Sequence, residues 1–175
     1  GYPLCEVDLT SLIPVASEVN TTPALIRGVA ARFTQMGCTV KGFDAYCEST
    51  VLPGSGLSSS AAYEVLVGTI FNVLFCNQVF TPVQVAQIGQ YAENVFFGKP
   101  SGLLDQMASS VGGVVAMDFA DPAAAVVQPL SLDLAGQGYA LCIVDTGADH
   151  ADLTGEYAAI PAEMGSVSAF FDRKR

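Results

Sequence analysis

A cluster of glycine and serine residues stands directly before a long apolar run. The cluster reads GSGLSSS over residues 54–60, and the apolar run that follows ends at Phe75. Glycines let a backbone approach a ligand closely, and the free N–H groups and dipole of a helix N-terminus attract anions. Serine hydroxyls can bind phosphate oxygens or Mg²⁺, but they also serve as plain helix caps. The spacing leaves both interpretations open, a phosphate-binding loop and a serine cap.

Two known loop motifs are excluded by the same residues. A Walker A loop requires a lysine after its glycines, and none follows this cluster. The G-x-S-x-G pattern of a nucleophile elbow is also absent.

His150 is the only histidine, and no spacing places it beside a serine and an acid, so we expect a hydrogen-bonded turn residue and no hydrolase triad.

Two carboxylates farther along the chain are candidates for metal and proton chemistry. Glu93 lies away from the apolar stripe of its predicted helix, so helical spacing alone predicts a carboxylate that faces solvent. Asp105 falls in the first turn of a short predicted helix, where it stabilises the helix dipole by a few tenths to about 1 kcal/mol. Local physics does not separate these ordinary roles from functional ones.

The charge of the chain restricts its partners. The formal net charge is −10, and the seven lysines and arginines form no basic patch or stripe. This composition argues against nucleic acid and anionic membrane surfaces as partners. A bound phosphate would therefore have to be held by backbone amides or by a metal ion.

Cysteine spacing and hydropathy indicate the class of protein. The five cysteines are widely spaced without a CxxC pair, so we expect reduced thiols in a cytoplasmic protein and no metal finger. The longest apolar run, residues 61–75, contains Glu64 and is shorter than the roughly 18 to 20 residues that span a bilayer. We expect no signal peptide and no membrane span.

Periodicity predicts helices and strands in the first two thirds of the chain. Thr22 is the expected N-cap of a helix that has Pro23 at its first position and ends by Gly37. A strand is expected over residues 40–51, and a helix buried on all sides over residues 58–75. A capping box at residues 81–84 starts the next helix, whose stripe of Ile88, Tyr91, Ala92, Val95 and Phe96 ends at Gly98.

The remaining elements are shorter. A helix is expected over about residues 101–110, and strands over residues 114–119, 125–129 and 139–145, with a turn at residues 133–138. The last predicted helix covers residues 155–171. Pro161 should disturb that helix unless it falls in the first turn.

Two motifs together resemble the GHMP kinases, which include galactokinase, homoserine kinase, mevalonate kinase and phosphomevalonate kinase. They are "GSGLSSSAA" and, about thirty residues later, "AENVFFGKPSGLLDQ". Within that family the chain most resembles the galactokinases, through "RGVAARFTQMGCTVKGFDAY", "LDQMASSVGG" and "IVDTGADHADLTGEY". The similarity runs along nearly the whole chain but covers only the middle half of a galactokinase. The arginine and Glu-His-x-Asp cluster of the first family motif and the glycine-rich third motif have no counterpart here.

The resemblance implies a fold and a division into lobes. It implies an α+β fold, with a lobe of the ribosomal protein S5 domain 2-like type over residues 1–112. Residues 113–175 would begin the second α+β lobe.

The resemblance also implies residue roles. Asp105 matches the catalytic aspartate that accepts or orients the proton of the sugar hydroxyl. Gly102 and Tyr157 match positions that line the sugar pocket, and Ser60 with Glu93 matches the Mg²⁺ site. The loop around the ATP phosphates would consist of Gly54, Ser55, Gly56, Leu57, Ser58, Ser59 and Ser60.

The function implied is ATP-dependent phosphorylation of galactose at its anomeric hydroxyl, with ATP and Mg²⁺ as cofactors. Because two family motifs have no counterpart, we expect this chain alone to turn over poorly or not at all. The alternatives are a mevalonate or N-acetylgalactosamine kinase, a non-catalytic sensor of galactose and ATP, and a lone structural or interaction module. The residues do not indicate an oligomeric state.

Overall fold

The computed structural model describes residues 4–50, 56–121, 124–144 and 154–171, and within the last range not the side chains of residues 154, 157 and 158. The described elements are mostly helical, with one two-stranded antiparallel sheet, so the mixed α and β prediction is confirmed. No helix among these residues is both long and apolar enough to cross a membrane. In chain order the elements are a 3₁₀ turn (Ala16–Glu18), α1 (Thr22–Gln35), α2 (Ser59–Phe75), α3 (Pro82–Ala92), a π-helical turn (Glu93–Phe97), α4 (Leu104–Val111), β1 (Val114–Asp118), β2 (Val126–Leu130) and α5 (Thr154–Phe170).

The core lies between α1, α2 and α3. Phe33 of α1, Phe71 of α2 and Ile88 of α3 are at most 1% exposed, and the rings of Phe33 and Phe71 lie 6.0 Å apart. A Cβ added to Gly28 would lie 2.7 Å from the Cβ of Ala92, so α1 and α3 approach closely where both side chains are small. This packing fixes α3, which carries Glu93 at its C-terminal end.

The starts of α1 and α3 test the capping predictions. The capping box of α3 is confirmed, because the Thr81 side chain accepts from the Gln84 amide and the Gln84 side chain accepts from the Thr81 amide. The prediction for α1 was wrong by one residue. Thr21 has an extended backbone and is the N-cap, so Thr22 is the first helical residue and Pro23 the second.

The helix over residues 59–75 is not buried on all sides, contrary to the prediction. Leu66, Val73 and Leu74 are 43%, 49% and 56% exposed. The other helices pack on one face of α2, and no described segment covers the opposite face. Val95, predicted in the stripe of α3, is 45% exposed because the π-helical turn interrupts the regular period.

The sheet is smaller than the sequence predicts. β1 and β2 form an antiparallel pair with Val114 opposite Leu130, and Pro129 is accommodated because β2 is an edge strand. The strands expected over residues 40–51 and 139–145 are absent from their described parts, residues 40–50 and 139–144. A β-rich segment becomes a strand only when a neighbour completes its hydrogen-bond ladder, and no described segment does so.

Helix α5 runs through Pro161, so the prediction that this proline would disturb it was wrong. Proline removes one helical N–H and leaves a carbonyl of the preceding turn without its donor. Ile160 and Met164 beside it are 52% and 48% exposed, so water can reach the backbone there. The expected lobe boundary at residues 112 and 113 stays a prediction.

Cys38 and Cys76 form a disulfide with a Cα–Cα distance of 5.7 Å, so the expectation of reduced thiols was wrong for this pair. The bond joins the segment after α1 to the C-terminal end of α2. Residues 38 positions apart in sequence become neighbours through helix packing, which cysteine spacing does not reveal. Cys5, Cys47 and Cys142 are free and exposed, and the cytoplasmic location stays a prediction.

Candidate active site

In the described part of the glycine and serine cluster, two residues before α2 have left-handed backbone conformations. Gly56 has φ 74°, and Ser58, at the N-cap position, has φ 58° and ψ 45°. The Ser58 side chain makes no capping hydrogen bond, so the serine-cap interpretation loses its support. The first helical hydrogen bond joins Ala62 N to Ser58 O, and the amides before it have no acceptor within the helix. Leu57 is 44% exposed, while Gly54 and Ser55 lie outside the described residues.

Ser60 and Glu93, the two residues expected at the metal site, are in contact. The Ser60 hydroxyl donates to Glu93 Oε1 at 3.3 Å across 33 residues of sequence. Glu93 is only 2% exposed, so the solvent-facing carboxylate expected from helical spacing was wrong. Spacing along one helix does not show that α2 and α4 cover its polar side.

A buried glutamine holds the other oxygen of Glu93. Gln106 Nε2 donates to Glu93 Oε2 at 2.8 Å and to Glu64 Oε2 at 3.0 Å, and thus bridges α2, α4 and the π-helical turn. Glu64 is fully buried and Gln106 is 1% exposed. The remaining oxygen of each, Oε1, has no hydrogen-bond partner.

The environment of Glu64 favours its neutral form. Burial, with a smaller contribution from the charge of Glu93, raises the pKa of Glu64 to about 8. Glu64 is therefore mostly protonated near neutral pH. Sequence reasoning assigned no role to Glu64 or Gln106, although Glu64 is the only charged residue in the apolar run and could have signalled a buried polar cluster.

Lys99 is a further residue that sequence reasoning missed. Its ammonium lies 3.2 Å from Glu93 Oε1, the same oxygen that Ser60 contacts, and its side chain is 35% exposed. The backbone brings the two side chains together, because the amides of Gly98 and Lys99 both donate to Glu93 O. The ion pair partly balances the buried carboxylate.

Asp105 is not part of the buried hydrogen-bonded cluster. It lies in the first turn of α4, next to Gln106 in sequence, and it is exposed. Its charge adds a small contribution to the raised pKa of Glu64. The carboxylate thus acts electrostatically on the buried cluster while it is itself exposed to solvent.

The segment before α4 is tied to α3 and leaves space at Gly102. Asn94 accepts from the Ser101 amide at 2.7 Å, and Gln90 Nε2 donates to Ser101 O at 3.3 Å. A Cβ added to Gly102 would meet nothing within 4 Å. Tyr157 belongs to α5 but its side chain is not described, and His150 lies outside the described residues, so their expected roles stay predictions.

Ser60 and Glu93 offer two oxygen donors of the kind that Mg²⁺ binds. Mg²⁺ prefers oxygen ligands at about 2.0–2.1 Å in octahedral geometry, which places adjacent ligand oxygens about 3 Å apart. Ser60 Oγ and Glu93 Oε1 are such oxygens, 3.3 Å apart. Among the described residues no group of three or more His, Cys, Asp or Glu side chains could hold a metal ion. This arrangement suits an ion that takes its other ligands from phosphates and water.

Comparison with known families assigns the class of protein. The family model for the GHMP kinases N terminal domain matches residues 24–113, which include most of α1, all of α2 to α4, and Ser60, Glu93 and Asp105. The chain belongs to the GHMP kinase family.

Similar curated proteins narrow the comparison. The chain is 37% identical to a galactokinase of Streptomyces coelicolor over 130 residues, 74% of this chain and 33% of that protein. It is 34% identical to a galactokinase of Glaesserella parasuis over 151 residues, 85% of this chain and 38% of that protein. A galactokinase of Actinobacillus pleuropneumoniae is 31% identical over 171 residues, 97% of this chain and 43% of that protein.

The chain thus spans about a third to two fifths of the length of the curated relatives it matches. No solved structure matches it.

Proposed function

We propose that the chain forms the phosphate-binding and catalytic-aspartate part of an ATP-dependent sugar kinase that phosphorylates galactose at its anomeric hydroxyl. The similarity to galactokinases supports the substrate class. The contact between Ser60 Oγ and Glu93 Oε1 is the observation that carries the proposal. It brings the first turn of α2, which suits phosphates, to a buried carboxylate that suits a metal ion.

Each part of the site has a role in phosphoryl transfer. The free amides at the start of α2 would bind phosphate oxygens. The left-handed backbone at Gly56 and Ser58 leads into this helix start. Ser60 and Glu93 would hold Mg²⁺, which supplies charge neutralisation on the transferred phosphoryl group. Gln106 fixes the orientation of Glu93 through the 2.8 Å hydrogen bond.

Asp105 would act on the acceptor. Its exposed carboxylate can accept or orient the proton of the sugar hydroxyl while that oxygen attacks the γ-phosphorus in line. The open space at Gly102, three residues earlier, leaves room for the sugar. Catalysis would depend mainly on positioning and on charge stabilisation.

The proposal is tested by binding a non-hydrolysable ATP analogue with Mg²⁺ in isothermal titration calorimetry. We expect Ser60→Ala and Glu93→Gln to weaken binding by about tenfold or more, because each removes a metal ligand. Asp105→Asn should change it by less than about threefold, because Asp105 faces the sugar. Ser109→Ala, which removes an exposed hydroxyl from α4, is the matched control. Unchanged affinity in Glu93→Gln would contradict the proposal.

The acceptor is identified by a thermal-shift screen with the ATP analogue and Mg²⁺. A ligand that binds the native state raises the melting temperature according to its affinity. We expect galactose to give a larger shift than N-acetylgalactosamine, arabinose or mevalonate. A larger shift with mevalonate would indicate that the acceptor is mevalonate and not a sugar. Galactose-dependent ADP release that Asp105→Asn abolishes would favour an enzyme over the sensor alternative, and would contradict the expectation that this chain alone turns over poorly.

A further inference from the structure

We propose that Lys99 binds the nucleotide polyphosphate and is a specificity-determining residue for nucleotides that carry a β-phosphate. This inference rests on the proposed function. Neither the loop motif nor the aspartate segment assigns Lys99 a role, and the structure places its ammonium on the same oxygen of Glu93 that Ser60 contacts.

Position is the first argument. Ser60 lies in the first turn of α2, where free amides and the helix dipole favour phosphate. Because Lys99 and Ser60 share Glu93 Oε1, the ammonium lies at the mouth of that helix. A flexible lysine side chain that is 35% exposed can reach a phosphate oxygen there with little movement.

Charge is the second argument. A nucleotide triphosphate carries more negative charge than one Mg²⁺ neutralises, and this chain has a net charge of −10. Four lysines and arginines lie among the described residues. Arg27 pairs with Glu18, Arg32 stacks on Tyr91 and hydrogen-bonds Gln35, and Lys41 is exposed. Lys99 is the one described cation that contacts a residue of the proposed site.

Competition for one oxygen is the third argument. Glu93 Oε1 already accepts from Ser60 and Lys99, and in the proposed function it also binds Mg²⁺. A carboxylate oxygen has two lone pairs, so one of the present partners must leave it when the metal binds. Lys99 is the partner that leaves, because its ammonium and Mg²⁺ repel each other. The phosphate oxygens around the metal then accept hydrogen bonds from Lys99.

The experiment measures displacement of a fluorescent ATP analogue by ATP, ADP and AMP in the presence of Mg²⁺. The variants are Lys99→Met, which keeps the chain length without the charge, Lys99→Arg, and the exposed control Lys41→Met. We expect Lys99→Met to weaken ATP and ADP by about tenfold and AMP by less than about twofold. Lys99→Arg should stay within about threefold of the wild type for all three. Lys41→Met should match the wild type.

The outcomes separate the two proposals. Equal losses for ATP and AMP in Lys99→Met would show that the lysine only supports the folded site, and would overturn this inference. So would unchanged ATP affinity in Lys99→Met. A wild-type chain that binds no ATP would instead overturn the proposed function itself, and the Lys99 inference with it.

Discussion

Two regions of the chain differ in how they use apolar residues. In residues 4–130, α1 to α4 and the hairpin of β1 and β2 pack against one another. Every buried described residue lies between Ala24 and Met107. In residues 131–144 and 154–171, no described side chain is buried. Large apolar residues are common in both regions. Burial therefore depends on which faces meet, and composition alone does not predict it.

The same contrast explains where the candidate chemistry lies. The hydrogen bonds that join Glu64, Gln106 and Glu93 require helices that hold polar groups out of water. Only the first region provides such helices among the described residues. We therefore expect substitutions in the first region to have large effects, and matched substitutions in the second to have small ones.

The largest expected difference is between two phenylalanines. Phe71 is fully buried against Phe33, Phe43 and Phe75, so Phe71→Ala should lower the free energy of unfolding by about 3–5 kcal/mol. Phe171→Ala removes a ring that is 65% exposed and should change it by less than about 0.5 kcal/mol. Urea denaturation followed by far-UV circular dichroism measures both. Equal losses would show that the second region also has a core.

A pH effect comes next in size and concerns Glu64. Its pKa in the folded chain, about 8, is above its ordinary value of 4.5, so folding favours the protonated form. The stability that this proton provides is complete below pH 4.5 and is lost as the pH rises toward 8. The loss approaches about 1.4 kcal/mol per pH unit within that window.

Glu64→Gln tests this effect because it replaces the protonated acid by a neutral side chain of similar shape. We expect the variant to lack most of the loss seen in the wild type between pH 5 and pH 8 in urea denaturation. Glu163→Gln, which removes an exposed carboxylate from α5, is the matched control. If Glu64→Gln and the wild type lost stability in parallel across this range, Glu64 would be ionised in the folded chain.

The smallest expected difference is between two helix glycines. A Cβ at Gly28 would lie 2.7 Å from Ala92 Cβ and 2.8 Å from its Cα, so Gly28→Ala must push α1 from α3 and should cost about 1–3 kcal/mol. Gly165→Ala meets nothing within 4 Å and should increase helix content by stabilising α5 by up to about 1 kcal/mol. Circular dichroism and urea denaturation provide the measurements. A Gly28→Ala variant as stable as the wild type would show that the close approach of α1 and α3 is not needed.

Local signals predicted most of the helices. The capping box at Thr81 and the glycine at position 98 act through neighbouring residues, and both mark helix ends as expected. The strands predicted over residues 40–51 and 139–145 are absent from the described parts of those ranges, because strand formation depends on a distant partner. The burial of α2 was overpredicted for a similar reason. A hydrophobic face can be buried by a neighbour, but hydrophobicity alone does not show that a neighbour covers it.

The candidate site was predicted in part. The motifs indicated Ser60, Glu93 and Asp105, and the structure brings Ser60 and Glu93 into contact, whereas no described contact joins Asp105 to them. Their roles in catalysis stay proposals. Glu64, Gln106 and Lys99 were missed because their importance arises from contacts between elements, which residue type and spacing within one element do not show.

The π-helical turn has a consequence for how insertions and deletions would act on this protein. Its wider hydrogen-bonding loop contains one residue more than a regular helical turn, and both Gly98 N and Lys99 N return to the carbonyl of Glu93. Loss of one apolar residue from this turn, Val95, Phe96 or Phe97, would leave every polar side chain of the cluster in the sequence. It would still rotate the lysine away from the acid, so the pairing is encoded by chain length as well as by residue identity.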